Sequence, residues 1–420
     1  MPQMTSFLGL AGMFLIAWIF SENRRAAQWR LALIGTSLQF VLALLVLKTE
    51  AGRFFFSIVK SGFDVLTDAS SAGAEFVFGN LAHFFFIQNA MVPGADGTLV
   101  RQELFPVSAV VAFNVLPVII FVAALSAILQ YYGVVQAVVR ALSWLMRRTL
   151  KTSGAETFGT ALLVFTGIES AAALGDYVRR MTRSEIFTIE VAFLATIAAS
   201  VMVAYAGFGA EPGHLLAASL MSAPAAIAVA KIMVPETGTP ETSAAGCRFE
   251  LAVESTNVFD AASRGASLGL GMALHVGAML IAFVGLIYVA DLAVAALAGV
   301  KLNVLLGYAF RPLAWMMGVP WSDIPLVAEL LATKTVFNEF LAYQNMQPMI
   351  EKGLLAERSV TIATYALCGF ANPGSLGIMI GGLSSLAPER RGEIAQLSIR
   401  ALIGGTLASF MTACIAGILL

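Results

Sequence analysis

The sequence predicts an all-α integral membrane protein with eight transmembrane helices, interfacial helices and two re-entrant hairpins arranged as an inverted repeat. Three observations predict this. Of 420 residues, 59% are apolar and only 12% charged, well above the roughly half-apolar norm of soluble domains. Apolar segments near the ~20 residues that a bilayer core needs recur along the chain between polar punctuation. Two further segments are equally apolar but divided at their centres by polar residues.

The elements follow in order. Phe7 to Phe20 is the first span, and its leader "MPQMTSFLGLAGMFLIAWIF" lacks the basic start and small-residue cleavage site of a signal peptide. Leu31 to Leu47 is the second. The stretch from Gly52 carries Lys60, Asp64 and Asp68 on a helical period, and the one from Tyr131 to Gly154 carries Arg140, Arg147 and Arg148. Charges so spaced on an apolar stripe predict helices lying in the membrane interface. Between them Pro106 to Leu129 spans, with Asn114 and Pro117 expected to kink it. Glu156 to Met181 is the first divided segment. Ile186 to Tyr205 and Leu215 to Val234 are spans, Pro235 to Ser243 is a loop, and Phe259 to Arg264 ends a third interfacial helix. Ala266 to Ala290 spans again. Pro320 to Met346 is the second divided segment. Val360 to Leu386 spans with Asn372, Pro373, Gly374 and Ser375 at its centre, and Ile399 to Leu420 closes the chain. The small-residue runs "GGLSSL" and "GGTLASF" read as close helix packing, with Gly405 to Ser409 open to another protomer. This divides the chain into 1–153 (scaffold), 154–234 (first repeat), 235–319 (linker, interfacial helix and span), 320–390 (second repeat) and 391–420 (last span).

Basic residues cluster on one side when the spans alternate, among them Arg24, Arg25, Arg147, Arg148, Arg179, Arg180, Arg390 and Arg391. The positive-inside rule then puts both termini outside. Basic clusters flank both ends of the first divided segment, so it enters and returns. On the same alternation the second does so from the opposite side. Opposed pairs of this kind bring broken helices together near the midplane, where polar backbone is tolerated only inside protein or around a wet cavity. A net charge of −1 argues against nucleic acid as a partner. The scattered His and Cys residues lack metal or catalytic spacing, so no cofactor, metal site or enzyme is expected.

Glu339 lies in "TVFNEFLAY", and a carboxylate at membrane depth is costly unless paired or hydrated. Asn372 and Ser375 add an amide and a hydroxyl, Pro373 removes a backbone donor and Gly374 permits an unwound turn. Together they suit a ligand rich in hydroxyls. The structural alternatives are a carboxylate holding a helix end at the interface and a simple proline kink.

"KTVFNEFLAY", "YALCGFANPGSLGIMIGGLSSLAPERR" and "RALIGGTLASFMTACIAG" resemble the C-terminal signature of the concentrative nucleoside transporters. The resemblance reaches back through "GVPWSD" and "MTRSEIFTIEVAFLATIAASVMVAYAGFGAE", and covers about residues 106–420. It implies a homotrimer in a bacterial inner membrane that imports nucleosides on a proton or sodium gradient. Carried over, the ribose-binding glutamate falls on Glu339 beside Asn338, with Phe370, Asn372 and Ser375 at the break and Val201 against the base. At the first hairpin the family reads Gly-Gln-Thr-Glu, whereas this chain has Thr166, Gly167, Ile168 and Glu169, keeping only the glutamate. Glu169 lines the pocket or pairs with an Arg of the hairpin. At two sodium-ligand positions stand Leu162, which offers no side-chain oxygen to a hard cation, and Thr196. That favours protons over sodium, with Glu169, Glu190 and Glu339 as carriers. Glu190 is alternatively half of a lipid-shielded structural pair.

Overall fold

The structure, a computed structural model, describes residues 2–82, 90–93, 99–102, 111–167, 174, 177–243, 255–299 and 302–420. Three helices open the chain: α1 (Pro2–Ile19), α2 (Trp29–Lys48) and α3 (Glu50–Phe78). A short antiparallel hairpin follows, β1 (Ala90–Pro93) on β2 (Leu99–Gln102), with Ala90 opposite Gln102. A wide turn at Val111–Val115, where Asn114 Nδ2 donates to Ala82 O at 2.8 Å, leads into α4 (Leu116–Tyr131). Then come α5 (Val134–Leu150), α6 (Gly154–Leu163), α7 (Tyr177–Arg180), α8 (Arg183–Ala195), α9 (Ala199–Gly207) and α10 (Pro212–Met233). The remainder is α11 (Val258–Ala298), α12 (Leu302–Met316), α13 (Ile324–Val336), α14 (Glu339–Glu351), α15 (Glu357–Leu367), α16 (Pro373–Leu386) and α17 (Arg391–Leu419).

Among the described residues, seven helical stretches are long and apolar enough to cross a membrane. The eighth expected span, Val360 to Leu386, is divided into α15 and α16. Two expectations are corrected. Phe259 to Arg264 does not end a separate interfacial helix but opens the 41-residue α11. The span expected at Ile186 to Tyr205 is present within Arg183–Gly207, built of two helices, α8 and α9, separated by extended backbone at Thr196 and Ala198. Gly405 does not look outward to another protomer: a Cβ there would lie 2.6 Å from Leu194 Cβ, and Ser409 Oγ sits 3.1 Å from Cys368 O.

The core is the bundle of α6, α8, α10, α15 and α17. Of the apolar window running through α8 and α9, 94% is buried, against 6% of the window in α11. A helix apolar all round belongs inside, and α8 buries its polar residues too: Ser184, Glu185, Thr188 and Glu190. Its start is fixed by a capping box, Thr182 Oγ1 accepting from Glu185 N while Glu185 Oε2 accepts from Thr182 N.

Ion pairs tie the helix ends. Lys231 Nζ, at the end of α10, lies 2.5 Å from Glu156 of α6 and donates to Ser184 Oγ of α8. In the loop after α1, Glu22 accepts from Arg183 at 2.8 Å and Arg400 at 2.6 Å, joining α1, α8 and α17. The Arg183 hydrogen bond holds the Glu22 carboxyl below its ordinary value against the opposing effect of burial. Asp323 fastens the start of α13 to that of α15, accepting from Ser359 Oγ at 2.6 Å and Ala356 N at 2.9 Å.

Candidate functional site

Two helix breaks build the site. In the α15–α16 break, Cys368 is extended and Gly369 adopts φ 149°, a region that favours glycine. A Cβ on Gly369 would stand 3.0 Å from the carbonyl oxygens of both Leu194 and Ala195. The two breaks therefore meet backbone to backbone. Carbonyls freed at the breaks are held by groups distant in sequence, as buried backbone requires. Thr196 Oγ1 lies 2.8 Å from Ala192 O and 3.1 Å from Leu163 O, and Ala199 N donates to Phe165 O at 3.3 Å. At the end of α15, Lys334 Nζ donates to Ala366 O and Tyr343 OH to Thr364 O, at 2.7 and 2.8 Å. Lys334 is on α13 and Tyr343 on α14, so both arms of this broken pair press on one helix end.

Glu339 is the first residue of α14, and Asn338 caps that helix by accepting from Leu341 N at 2.8 Å. Asn372 caps α16 in the same way, accepting from Ser375 N at 2.9 Å. Its other end reaches across: Nδ2 donates to Glu339 Oε2 at 2.7 Å. Tyr205 OH of α9 donates to Oε1, also at 2.7 Å. The carboxylate is 5% exposed and thus held by two strong hydrogen bonds at the positive ends of two helices. A carboxylate has about four acceptor positions, so acceptor capacity remains for a ligand.

The group lines a cavity of about 340 Å³. Gly167, Val201, Asn338, Glu339, Phe370, Asn372 and Ser375, all named from the sequence, border it together. Ile168 and Glu169 lie outside the described residues. Thr196 and Glu190 are buried elsewhere, Thr196 at the α8–α9 break and Glu190 within α8. Leu162 is wholly buried in α6. Sequence reading missed Tyr205, whose "VAYAG" context gives no sign of a carboxylate partner. It also missed Phe193, which packs on Phe370 at 5.7 Å between ring centroids, and the wall made by α11 with Met272, His275 and Met279. The signal for α11 was present: positions 271, 272, 275, 276, 279 and 280 form one helical stripe, with His275 its one titratable member.

Broken helices that meet inside an apolar core, around a ligand-sized cavity with one polar end, define a membrane-embedded solute transporter. Comparison with known proteins gives the family. Models of the Na+ dependent nucleoside transporter N-terminus, the nucleoside recognition Gate and the Na+ dependent nucleoside transporter C-terminus match residues 8–81, 112–212 and 214–417. Solute carrier family 28 member 3 of Rattus norvegicus is 38% identical over 99% of this chain and 59% of its own length. The chain thus spans about three fifths of that relative. YutK of Bacillus subtilis (strain 168), an uncharacterized transporter, is 37% identical over 99% of both chains. The solved structure of CNTnw in an inward-facing substrate-bound state superposes with a TM-score of 0.89 at 35% identity, covering 99% of this chain and 98% of that one. The chain belongs to the concentrative nucleoside transporter family, whose members are transporters and not enzymes.

Proposed function

We propose that the protein is a nucleoside:cation symporter of a bacterial inner membrane, importing nucleosides with protons. One observation carries the substrate reading: Glu339, held from two sides by Tyr205 and Asn372, keeps acceptor capacity at the polar end of an otherwise apolar cavity. That arrangement fits vicinal hydroxyls of a ribose, with the base against Val201, Phe370 and Phe193. The likeness to the substrate-bound CNTnw structure supports it. In this reading α6 with the residues up to α7, and α13 with α14, are the two re-entrant hairpins of an inverted repeat. Residues 154–234 and 320–390 move as the transport core against the rest, the assembly is a homotrimer, and both termini lie outside. Glu169 completes the base side of the pocket.

Proton coupling rests on Leu162, which presents no oxygen, and on Thr196, whose hydroxyl is already bonded to main-chain oxygens. Sodium is the second reading, favoured by the sodium-dependent family models and by the two main-chain oxygens that lie against Thr196 Oγ1. The test is uptake of labelled uridine into proteoliposomes under an imposed proton or sodium gradient, competed by 2′- and 3′-deoxyuridine. Strong competition by uridine and weak competition by the deoxy compounds are expected. Equal competition would remove the ribose site. Flux that never saturates, unaffected by an uncoupler, would indicate a channel.

A further inference from the structure

Glu190 is the one acid among the described residues whose two carboxylate oxygens are both buried without a hydrogen-bond partner, and unlike buried Glu156 it has no ion pair. It is wholly inaccessible, at the middle of α8. The alternative of a structural pair therefore lacks a partner. The elements packed on α8 are α6, α10, α16 and α17. On α6 the charged residue is Glu156, bonded to Lys231 of α10; α16 carries none. At the far end of α10, His214 contacts Tyr365. On α17 stand Arg391, Glu393 and Arg400, and on α8 itself Arg183 and Glu185. Arg183 stands two turns back along α8 and Glu393 opens α17, and both are already engaged, Arg183 with Glu22 and Glu393 with Arg390. An ionised carboxylate in such a place bears a large desolvation penalty with nothing to offset it. A carboxylic acid does not.

Position adds the link to the ligand. Phe193 lies three residues on, one turn along the same face of α8, and it both borders the cavity and packs on Phe370. The face of α8 that carries Glu190 therefore reaches the cavity through this aromatic pair. A ligand seated on that pair would rest one helical turn from an acid already closed off from water, which is tolerable there only with the proton in place.

We propose that Glu190 is a proton-binding site of the transport cycle. It gains a proton from water on the outer side, forming an O–H bond at one carboxylate oxygen. It crosses neutral beneath the loaded cavity and gives the proton to water inside. This rests on the symport reading above and assigns its cation to a residue outside the substrate cavity.

The experiment uses the full chain in proteoliposomes containing a trapped pH-sensitive dye, without sodium. Wild-type protein should carry protons with uridine and, at one proton per uridine and no membrane potential, accumulate uridine about tenfold for each pH unit imposed. Glu190→Gln should keep uridine counterflow within about threefold while accumulation and the dye signal vanish. Glu190→Asp should restore both, which also separates lost coupling from lost folding. A Glu190→Gln protein that moves protons and uridine in the wild-type ratio overturns the assignment. Wild-type protein that carries uridine without protons overturns the proton reading itself.

Discussion

Replacing Glu339 by Gln removes one charge and almost no volume. The amide can still accept from Asn372 Nδ2 with its oxygen and donate to Tyr205 OH with its nitrogen, so both 2.7 Å contacts survive in altered polarity. The framework should stay folded. What changes is what is left for a ligand: two charge-assisted bonds become two neutral ones, one of them reversed so that the ribose hydroxyl accepts from the amide nitrogen. Hydrogen bonds to charged groups contribute ~1.5–3 kcal/mol against ~0.5–1.5 for neutral ones. Two ribose hydroxyls therefore lose about 2–3 kcal/mol, or roughly 30- to 150-fold in kcat/KM at 1.4 kcal/mol per decade. The assay is uptake of uridine and of 2′,3′-dideoxyuridine by both proteins. The wild type should prefer uridine by at least this factor, and the variant should lose most of the preference because uridine falls and the dideoxy compound does not. If both substrates fall by the same factor, Glu339 does not touch the sugar.

Four other outcomes follow from the structure. Gly369→Ala forces a Cβ to 3.0 Å from two carbonyl oxygens at φ 149°, so strain and overpacking should cost about 3 kcal/mol or more, read as a lower melting temperature in detergent. Tyr205→Phe leaves Glu339 Oε1 short of its donor, and uridine affinity should drop about tenfold or more with little change in a helical circular dichroism spectrum. His275→Ala should raise KM for natural nucleosides while leaving the penalty for deoxyribose unchanged, since His275 borders the cavity from α11 whereas Glu339 and its partners border it from α14, the start of α16 and α9. Glu22→Gln should lower thermal stability at neutral pH. Because the folded Glu22 carboxyl is held below 4.5, its contribution is present above that pH and fades as pH falls through the lower folded value; melting curves of the two proteins should converge in acid.

The polar end of the cavity was legible because its residues are costly in a membrane. Glu339, Asn372 and Ser375 stand out against apolar neighbours, and Pro373 and Gly374 mark the break. The α8–α9 break carries no such mark. Between Phe193 and Val201 there is neither Pro nor Gly, and the extended backbone is stabilised by Leu163 and Phe165, over thirty residues away. Tyr205 was hidden for the same reason: a tyrosine between alanines is ordinary in a helix until its hydroxyl meets a carboxylate 134 positions on. Periodicity cannot report a contact between elements. It did report the amphipathic stripes of α3 and α5, while the length of α11 was underestimated because Arg264 looked like a boundary and is instead a helical residue bonded one turn back to Asp260.

At ~1.5 Å per residue the 41 residues of α11 extend about 60 Å, twice a ~30 Å hydrocarbon layer. A rod of that length confined to the layer would lie about 60° from the normal, beyond the usual tilt of 0–40°. A helix of this length either tilts steeply or projects from the layer, and its first turns carry Asp260 and Arg264. The bundle carrying Glu339 shares its cavity with one stripe of that helix, Gly271, His275 and Met279 among its members. In the transport proposed above a bound base would meet that stripe, and α11 would share in choosing it.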